Sequence, residues 1–311
     1  MKMPQGTMTA SGKPARLNRK QRDCLAGYLF LTPFLIGLFV FTLLPFIYSL
    51  YLAFTEYNIL SPAKWIGLDN FIKMFTADKK FLIAFKVTIR FALMEIPLKL
   101  AFSLLVAVLL SKTTKLTNFY RAAFYVPSLL GGGVAVAITW KHLWKANGVV
   151  NKLLALIGTE PVAWLLNKDT ALYVLVIYGV WQFGSQMLIF LAAIKDVPVS
   201  LHEAAIVDGA SPARRFFKVT LPMLTPSLFF NLVNGIIGSL QAFNSAYLVT
   251  NGGPMNATLF YGLYQYQQAF QFGNMGYASA MAWFWMLIIV LLTALVFKSS
   301  SAWVFYQDDR A

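Results

Sequence analysis

The residues that could do chemistry in this chain are charged and polar side chains set inside long apolar runs. Glu95 and Lys99 are spaced i,i+4 in one such run, with Arg90 upstream of them. Mutual pairing on one helix face accounts for Glu95 and Lys99, while an ionisable group at membrane depth is by default a functional candidate. A later run carries Asn231, Asn234, Ser239, Gln241, Asn244 and Ser245, and from Val219 to Phe297 there is no Asp, Glu, Lys or Arg. A single amide of this kind serves as interhelical glue as readily as it lines a passage; six polar groups in one run point to a lined passage. Tyr178, Trp181, Gln182 and Gln186 add rings and amides from another run, with plain packing or an interfacial belt as the alternative for Tyr178 and Trp181. Apolar rings with sparse amides suit a neutral, polyhydroxylated ligand. An acidic sugar or a phosphorylated polyol becomes the alternative if Arg90 or Lys99 faces the passage.

These groups do not add up to a catalytic or metal centre. Cys24 is the only cysteine, which rules out a disulfide and a CxxC metal site. His142 and His202 lie 60 positions apart and read as loop and interface residues. Gly131-Gly132-Gly133 is followed by no Lys-Ser or Lys-Thr at Walker spacing; it reads as close helix packing or a local break. The chain is expected to be non-enzymatic and to bind no metal or cofactor itself.

The elements that must position these residues follow from composition. Of 311 residues 58% are hydrophobic and 12% charged, where a soluble domain carries roughly 25% charged residues. Lipid is therefore the expected solvent. The net charge of +14 sits in short clusters between apolar runs, so no basic stripe could follow a row of phosphates and nucleic acid is not an expected partner. Six stretches reach the length an apolar helix needs to cross a bilayer. They run from about Leu25 to Phe54 (interrupted by Pro33 and Pro45), Leu82 to Leu110, Ala123 to Trp144, Ala171 to Ile194, Pro222 to Val249 and Ala278 to Phe297. Backbone groups in lipid must be satisfied internally, so an all-α fold is predicted and transmembrane strands are excluded. The first stretch is too long for a signal-peptide core and no small-residue cleavage site follows it, so it is expected to remain. Lysine and arginine favour both ends in the cytoplasm, with fifteen in the cytoplasmic segments against nine outside. The expected organisation is a basic cytoplasmic tail (1–24), a six-helix membrane domain (25–298) and a cytoplasmic tail (299–311). A short helix is also expected over Val149–Leu156 on the outer surface.

One inter-span segment, about 195–220, is patterned rather than merely polar. Ser200 and Glu203 have capping-box spacing, Gly209 suits a left-handed helix stop, and Ser211-Pro212 fit the cap and first position of a second helix carrying Arg214, Arg215, Phe216 and Phe217. Two short helices joined by a tight turn are predicted. Ala204, Ala205, Gly209 and Ala210 leave a small-residue surface on which another protein could pack closely; the alternative is an amphipathic helix resting on headgroups.

Glu203-Ala204-Ala205, Asp208-Gly209-Ala210 and Leu221-Pro222 resemble the EAA loop of binding-protein-dependent ABC importer permeases. The resemblance extends along nearly the whole chain. It includes Leu31-Thr32-Pro33-Phe34, Gly67-Leu68-Asp69-Asn70-Phe71, Arg121-Ala122-Ala123-Phe124 with Pro127, Gly252-Gly253-Pro254 and Gly276-Tyr277-Ala278-Ser279-Ala280. These features are most similar to carbohydrate permeases of the maltose and glycerol-phosphate type, and within them to the first of two paired permeases. Compared with the maltose member, the chain is expected to have no large outer domain and no additional N-terminal spans. The resemblance implies a sugar or oligosaccharide importer of a bacterial or archaeal cytoplasmic membrane, working by alternating access. It implies a second homologous permease, two ATP-binding subunits that hold ATP and Mg, and an extracytoplasmic solute-binding protein. Glu203, Ala204, Ala205, Asp208 and Gly209 would form the ATPase-coupling surface. The contrasting expectation is a self-contained secondary carrier, which would favour internal repeats and acids for ion coupling; Glu95 is the one acid in a span and no clear repeat is present.

Overall fold

The computed structural model describes residues 19–112 and 116–305. Residues 1–18, 113–115 and 306–311 lie outside the described residues, and with them Lys2, Lys13, Arg16, Lys115 and Arg310, five of the fifteen lysines and arginines counted above for the cytoplasmic side. Among the described residues three helices are long and apolar enough to cross a membrane: Gly27–Ala53, Lys79–Ser111 and Met275–Trp303. Three bent pairs bring the number to six if each pair is one span. These are Thr117–Leu130 with Val134–Leu143 (102°), Ala171–Trp181 with Gly184–Asp196 (44°), and Pro212–Met223 with Thr225–Leu240 (64°). In chain order they are spans one to six.

Among the described residues, those up to Tyr51 form one compact unit and those from Leu52 onward another. In the first, helix Arg19–Leu38 runs through a wider π turn, Phe39–Leu43, into Leu44–Ala53. Pro45 brings no N–H and crowds the carbonyl one turn earlier, and the extra residue of the π turn absorbs that mismatch.

In the second unit span two is central. It packs against both halves of span four and against span five, burying Phe81, Phe91, Ala92, Leu175 and Tyr178 in one core. A smaller cluster of Val106, Ala107, Leu110, Met187 and Phe190 fills the other end of the same contact. Tyr261 stacks on Trp285 with centroids 4.2 Å apart, and its N–H donates to Thr88 Oγ1 at 2.7 Å. The helix Tyr261–Tyr266 is thereby fixed between spans two and six.

Apolar runs alone did not reveal several features. Thr55–Asn58 and Ser61–Trp65 form an antiparallel hairpin with Glu56 opposite Lys64, a favourable cross-strand arrangement of opposite charges, and this is the one two-stranded sheet among the described residues. Span three breaks at Gly131–Gly133, the local break being one of the two readings of that run. Span five departs from the expected Pro222–Val249 helix. It begins at Pro212, bends beside Leu224 between Pro222 and Pro226, and stops at Leu240. Gln241, Ala242 and Phe243 are non-helical, and Ala246–Thr250 is a separate π turn. Helix Val149–Ala155 is present as expected, held by Asn151, whose amide bonds to Ala146 O, Val162 O, Val162 N and Trp164 Nε1.

A network at the start of span two joins several elements. Asp78 Oδ1 accepts from Phe81 N at 3.0 Å and caps the helix, while Oδ2 accepts from the hydroxyls of Tyr264 and Tyr277, each at 2.7 Å. Burial, then the Asp78 carboxylate, push the Tyr264 hydroxyl above the ordinary phenol range, so it stays a donor. Asp78→Ala removes a cap and two charge-assisted hydrogen bonds, a loss of about 2–4 kcal/mol. Thermal unfolding in detergent should shift down by several degrees, and Asp78→Asn, which can still cap, should lose less.

Candidate substrate pathway and coupling loop

Glu95 is the point on which three spans converge. Its Oε1 accepts from Lys99 Nζ at 3.0 Å within span two, and Oε2 accepts from the Ser239 hydroxyl of span five. Span four approaches closely because Gly179 stands there: a Cβ would lie 2.8 Å from Glu95 Cγ and Oε1. Glu95 is 4% exposed. An isolated buried carboxylate would be strongly disfavoured; here a cation and a hydroxyl compensate it. This is the one ion pair among the described residues.

The group lines a cavity of about 450 Å³ bounded by spans two to five. Of the residues predicted to line a passage, Glu95, Tyr178, Gln182, Asn234, Gln241 and Asn244 all reach it. Two do not. Asn231 is fully buried and exchanges hydrogen bonds with Gln186 through main-chain carbonyls, the interhelical-glue alternative. Trp181 packs on Trp140 and Tyr178, with centroids 5.5 and 6.4 Å away, the packing alternative. Tyr178 reaches the wall mainly by its ring, since its hydroxyl donates to Gly131 O. Arg90 is exposed and away from the cavity. The cavity therefore holds one carboxylate and one ammonium, already paired, and is otherwise amides, hydroxyls and rings.

Ser128, Gly132, Ser185, Gly235 and Gly238 also line it, and the reading of polar amides missed them. Gly235, Gly238 and Ser239 are small residues three and four apart in span five, a spacing that marks a helix face approached closely. The glycine break in span three contributes too. A Cβ on Gly131 would lie 2.2 Å from Gln182 Cδ, so the two residues share one space. Gly131→Ala should displace the Gln182 amide and cost about 1–3 kcal/mol by overpacking. Adding Gln182→Ala should restore the melting temperature, which a thermal-shift series on the two single variants and the double variant would measure.

The 195–220 segment forms the predicted pair of helices, Val199–Val207 and Pro212–Arg215. Gly209 has φ +72°; Ala210 N donates to Ala205 O and Gly209 N to Ile206 O, both at 2.9 Å. That double bond pattern is a Schellman stop, which requires a left-handed residue at Gly209. Ser211 caps the next helix through Arg214 N at 3.3 Å. The capping box is not formed: the first helix starts with Pro198 at its cap position and Ser200 makes no capping bond. A proline already fixes the entering backbone and places Ser200 inside the first turn. Glu203, Ala204, Asp208 and Gly209 are exposed and Ala205 is half-buried. Beside them Val199, Ile206 and Val207 are 68%, 55% and 87% exposed, apolar surface that the chain itself does not cover. Among the described residues no group of three His, Cys, Asp or Glu side chains could hold a metal ion.

Apolar helices, a polar cavity between them and a patterned surface loop define a helical membrane transport subunit. Residues 6–310 match the model of the family described as binding-protein-dependent transport system inner membrane component, and the chain belongs to that family. It is 48% identical over 308 residues to the probable ABC transporter permease protein YesP of Bacillus subtilis (strain 168), covering 97% of this chain and 100% of that one. It is 31% identical to the lactose transport system permease protein LacF of Rhizobium radiobacter, covering 92% and 97%. Among solved structures, it resembles a chain of a bacterial ABC transporter involved in the import of the acidic polysaccharide alginate, with a TM-score of 0.79, 23% identity and coverage of 90% and 96%. That similarity shows a shared fold.

Proposed function

We propose that this subunit moves a neutral sugar or oligosaccharide into the cytoplasm by alternating access. Partner ATPases would drive it through the loop around Glu203–Gly209. The observation that carries the coupling assignment is the Schellman turn. It holds an uncovered apolar helix, Val199–Val207, rigidly against the helix that leads into span five. Motion imposed on the loop is thereby passed to the span whose Asn234 and Ser239 line the cavity. In this reading Glu203, Ala204, Ala205, Asp208 and Gly209 meet an ATP-binding subunit, and ATP and Mg are held by two such subunits. A second homologous permease and an extracytoplasmic solute-binding protein complete the importer. Both termini, the 1–24 and 299–311 tails, lie in the cytoplasm, with 25–298 as the membrane domain.

The preference for a neutral substrate follows from charge. Lys99 reaches the cavity but is paired by Glu95, and Arg90 is elsewhere. An unpaired cation is what a site for uronates or phosphorylated polyols would supply. The similarity to an alginate importer keeps an acidic oligosaccharide as the second reading.

Two assays test this. ATP-loaded membrane vesicles carrying the chain with its co-purifying partners should take up sugar, and uptake should stop on ATP depletion. Uptake that persists without ATP would instead identify a secondary carrier. Competition by neutral against uronic-acid oligosaccharides then decides the substrate class.

A further inference from the structure

The segment that follows the Schellman turn carries three cations that the coupling role does not use. Arg214, Arg215 and Lys218, together with Ala205, Asp208 and Ala210, enclose a pocket of about 170 Å³ between the turn and the foot of span five. We propose that this pocket binds a phosphate group, either the phosphodiester of an anionic phospholipid or free inorganic phosphate. The proposal rests on the chain's being a membrane permease; Ala205 and Asp208 are shared with the surface assigned to ATPase docking, whereas the three cations lie outside it.

Charge is the first argument. Three cations face one carboxylate, Asp208, and none of the four forms an ion pair within the chain among the described residues. Arg214 and Lys218 are one turn apart and so share a helix face. An unsatisfied donor adds to this. Arg215 Nε is out of contact with solvent and has no hydrogen-bond partner. A buried guanidinium N–H without an acceptor is costly, and planar guanidinium donors match phosphate oxygens in pairs. Space is available as well. Apart from the cations and Asp208 the lining is Ala205, Ala210 and Val219, small side chains that leave the volume open. Finally, Phe217 is 62% exposed in the middle of this basic run. An apolar ring among cations at the foot of a span is where an amphipathic segment meets headgroups.

The test uses the full chain with whatever partners co-purify. It is reconstituted in nanodiscs of phosphatidylcholine alone, or with one part in three phosphatidylglycerol, and retained lipid is counted by native mass spectrometry. In parallel, the delipidated protein is melted in sodium phosphate and in sodium chloride of equal ionic strength. Retained phosphatidylglycerol in the wild type and in Lys298→Gln, but not in Arg214→Gln/Arg215→Gln, assigns the site to a lipid headgroup. A phosphate-specific melting shift that the double variant loses, without retained lipid, assigns it to free phosphate; both results support the proposal. Equal lipid retention in all three proteins with no phosphate-specific shift overturns it. Loss of the ATPase subunit from the double variant, with neither anion effect present, also overturns it and gives the pocket to a protein carboxylate. Should the double variant fail to fold, Lys218→Gln is read in the same way.

Discussion

Gly209→Val should cut ATP-driven uptake roughly 5–30-fold while leaving the membrane helices folded. Gly209 has φ +72°, and a left-handed backbone costs an L-residue about 1–2 kcal/mol, most of all a β-branched one. No heavy atom stands within 4 Å of where its Cβ would be, so the penalty is in the backbone and not in a clash. An exposed turn relieves such strain by giving up the bonds from Gly209 N to Ile206 O and from Ala210 N to Ala205 O. The core packing of span two against spans four and five is untouched by that change. A penalty of about 1–2 kcal/mol reduces the correctly turned population roughly 5–30-fold, and the helix Val199–Val207 then loses its fixed angle to Pro212. Uptake into vesicles, retention of the ATPase subunit through purification and the melting temperature form the set to measure. The expected pattern is loss of the first two with the third nearly unchanged. Gly209→Asn, which tolerates the left-handed region, should keep much of both activities. Normal uptake by the valine variant would remove this turn from the coupling path.

The same turn shows what a sequence makes legible. Gly209, Ser211 and Pro212 are residues whose backbone or capping preferences act locally, and the structure has each in the expected role. Ser200 also had the right spacing, yet Pro198 starts the helix and leaves the capping box unformed. Spacing alone cannot tell which of two neighbouring residues opens a helix. Each of the three long helices and three bent pairs overlaps one of the apolar runs, because hydropathy is a property of length and composition. They did not locate the bends, which depend on Gly131–Gly133 in one span and on Pro222 and Pro226 in another. The cavity was half legible for a related reason. Asn231 and Asn234 are identical in type and three residues apart, but one is buried against Gln186 and the other faces the cavity. Only the placement of span four against span five separates them. Glycines on the wall, which act by what they leave empty, are silent in a search for polar groups.

Replacing Glu95 and Lys99 singly and together should separate their structural role from their part in the passage. Glu95→Leu leaves the Lys99 ammonium without its partner, and Lys99→Leu leaves a carboxylate that is 4% exposed with only Ser239 as donor. Breaking a buried pair from one side costs about 3–5 kcal/mol. The cavity leaves the Lys99 side chain 20% exposed, which puts the Glu95 variant toward the lower end of that range. Removing both charges spares the desolvation of each, so the double leucine variant should recover to within about 1 kcal/mol of the parent. Thermal unfolding of the four proteins closes this cycle. Uptake should not follow it. The double variant replaces the polar convergence of three spans with apolar side chains at the cavity wall, and sugar hydroxyls that exchange water for that wall lose their acceptors. Recovered stability with absent uptake would assign the pair to the passage. If uptake returned with stability, Glu95 and Lys99 would be interhelical glue, and the substrate contacts would belong to Gln182, Asn234, Gln241 and Asn244.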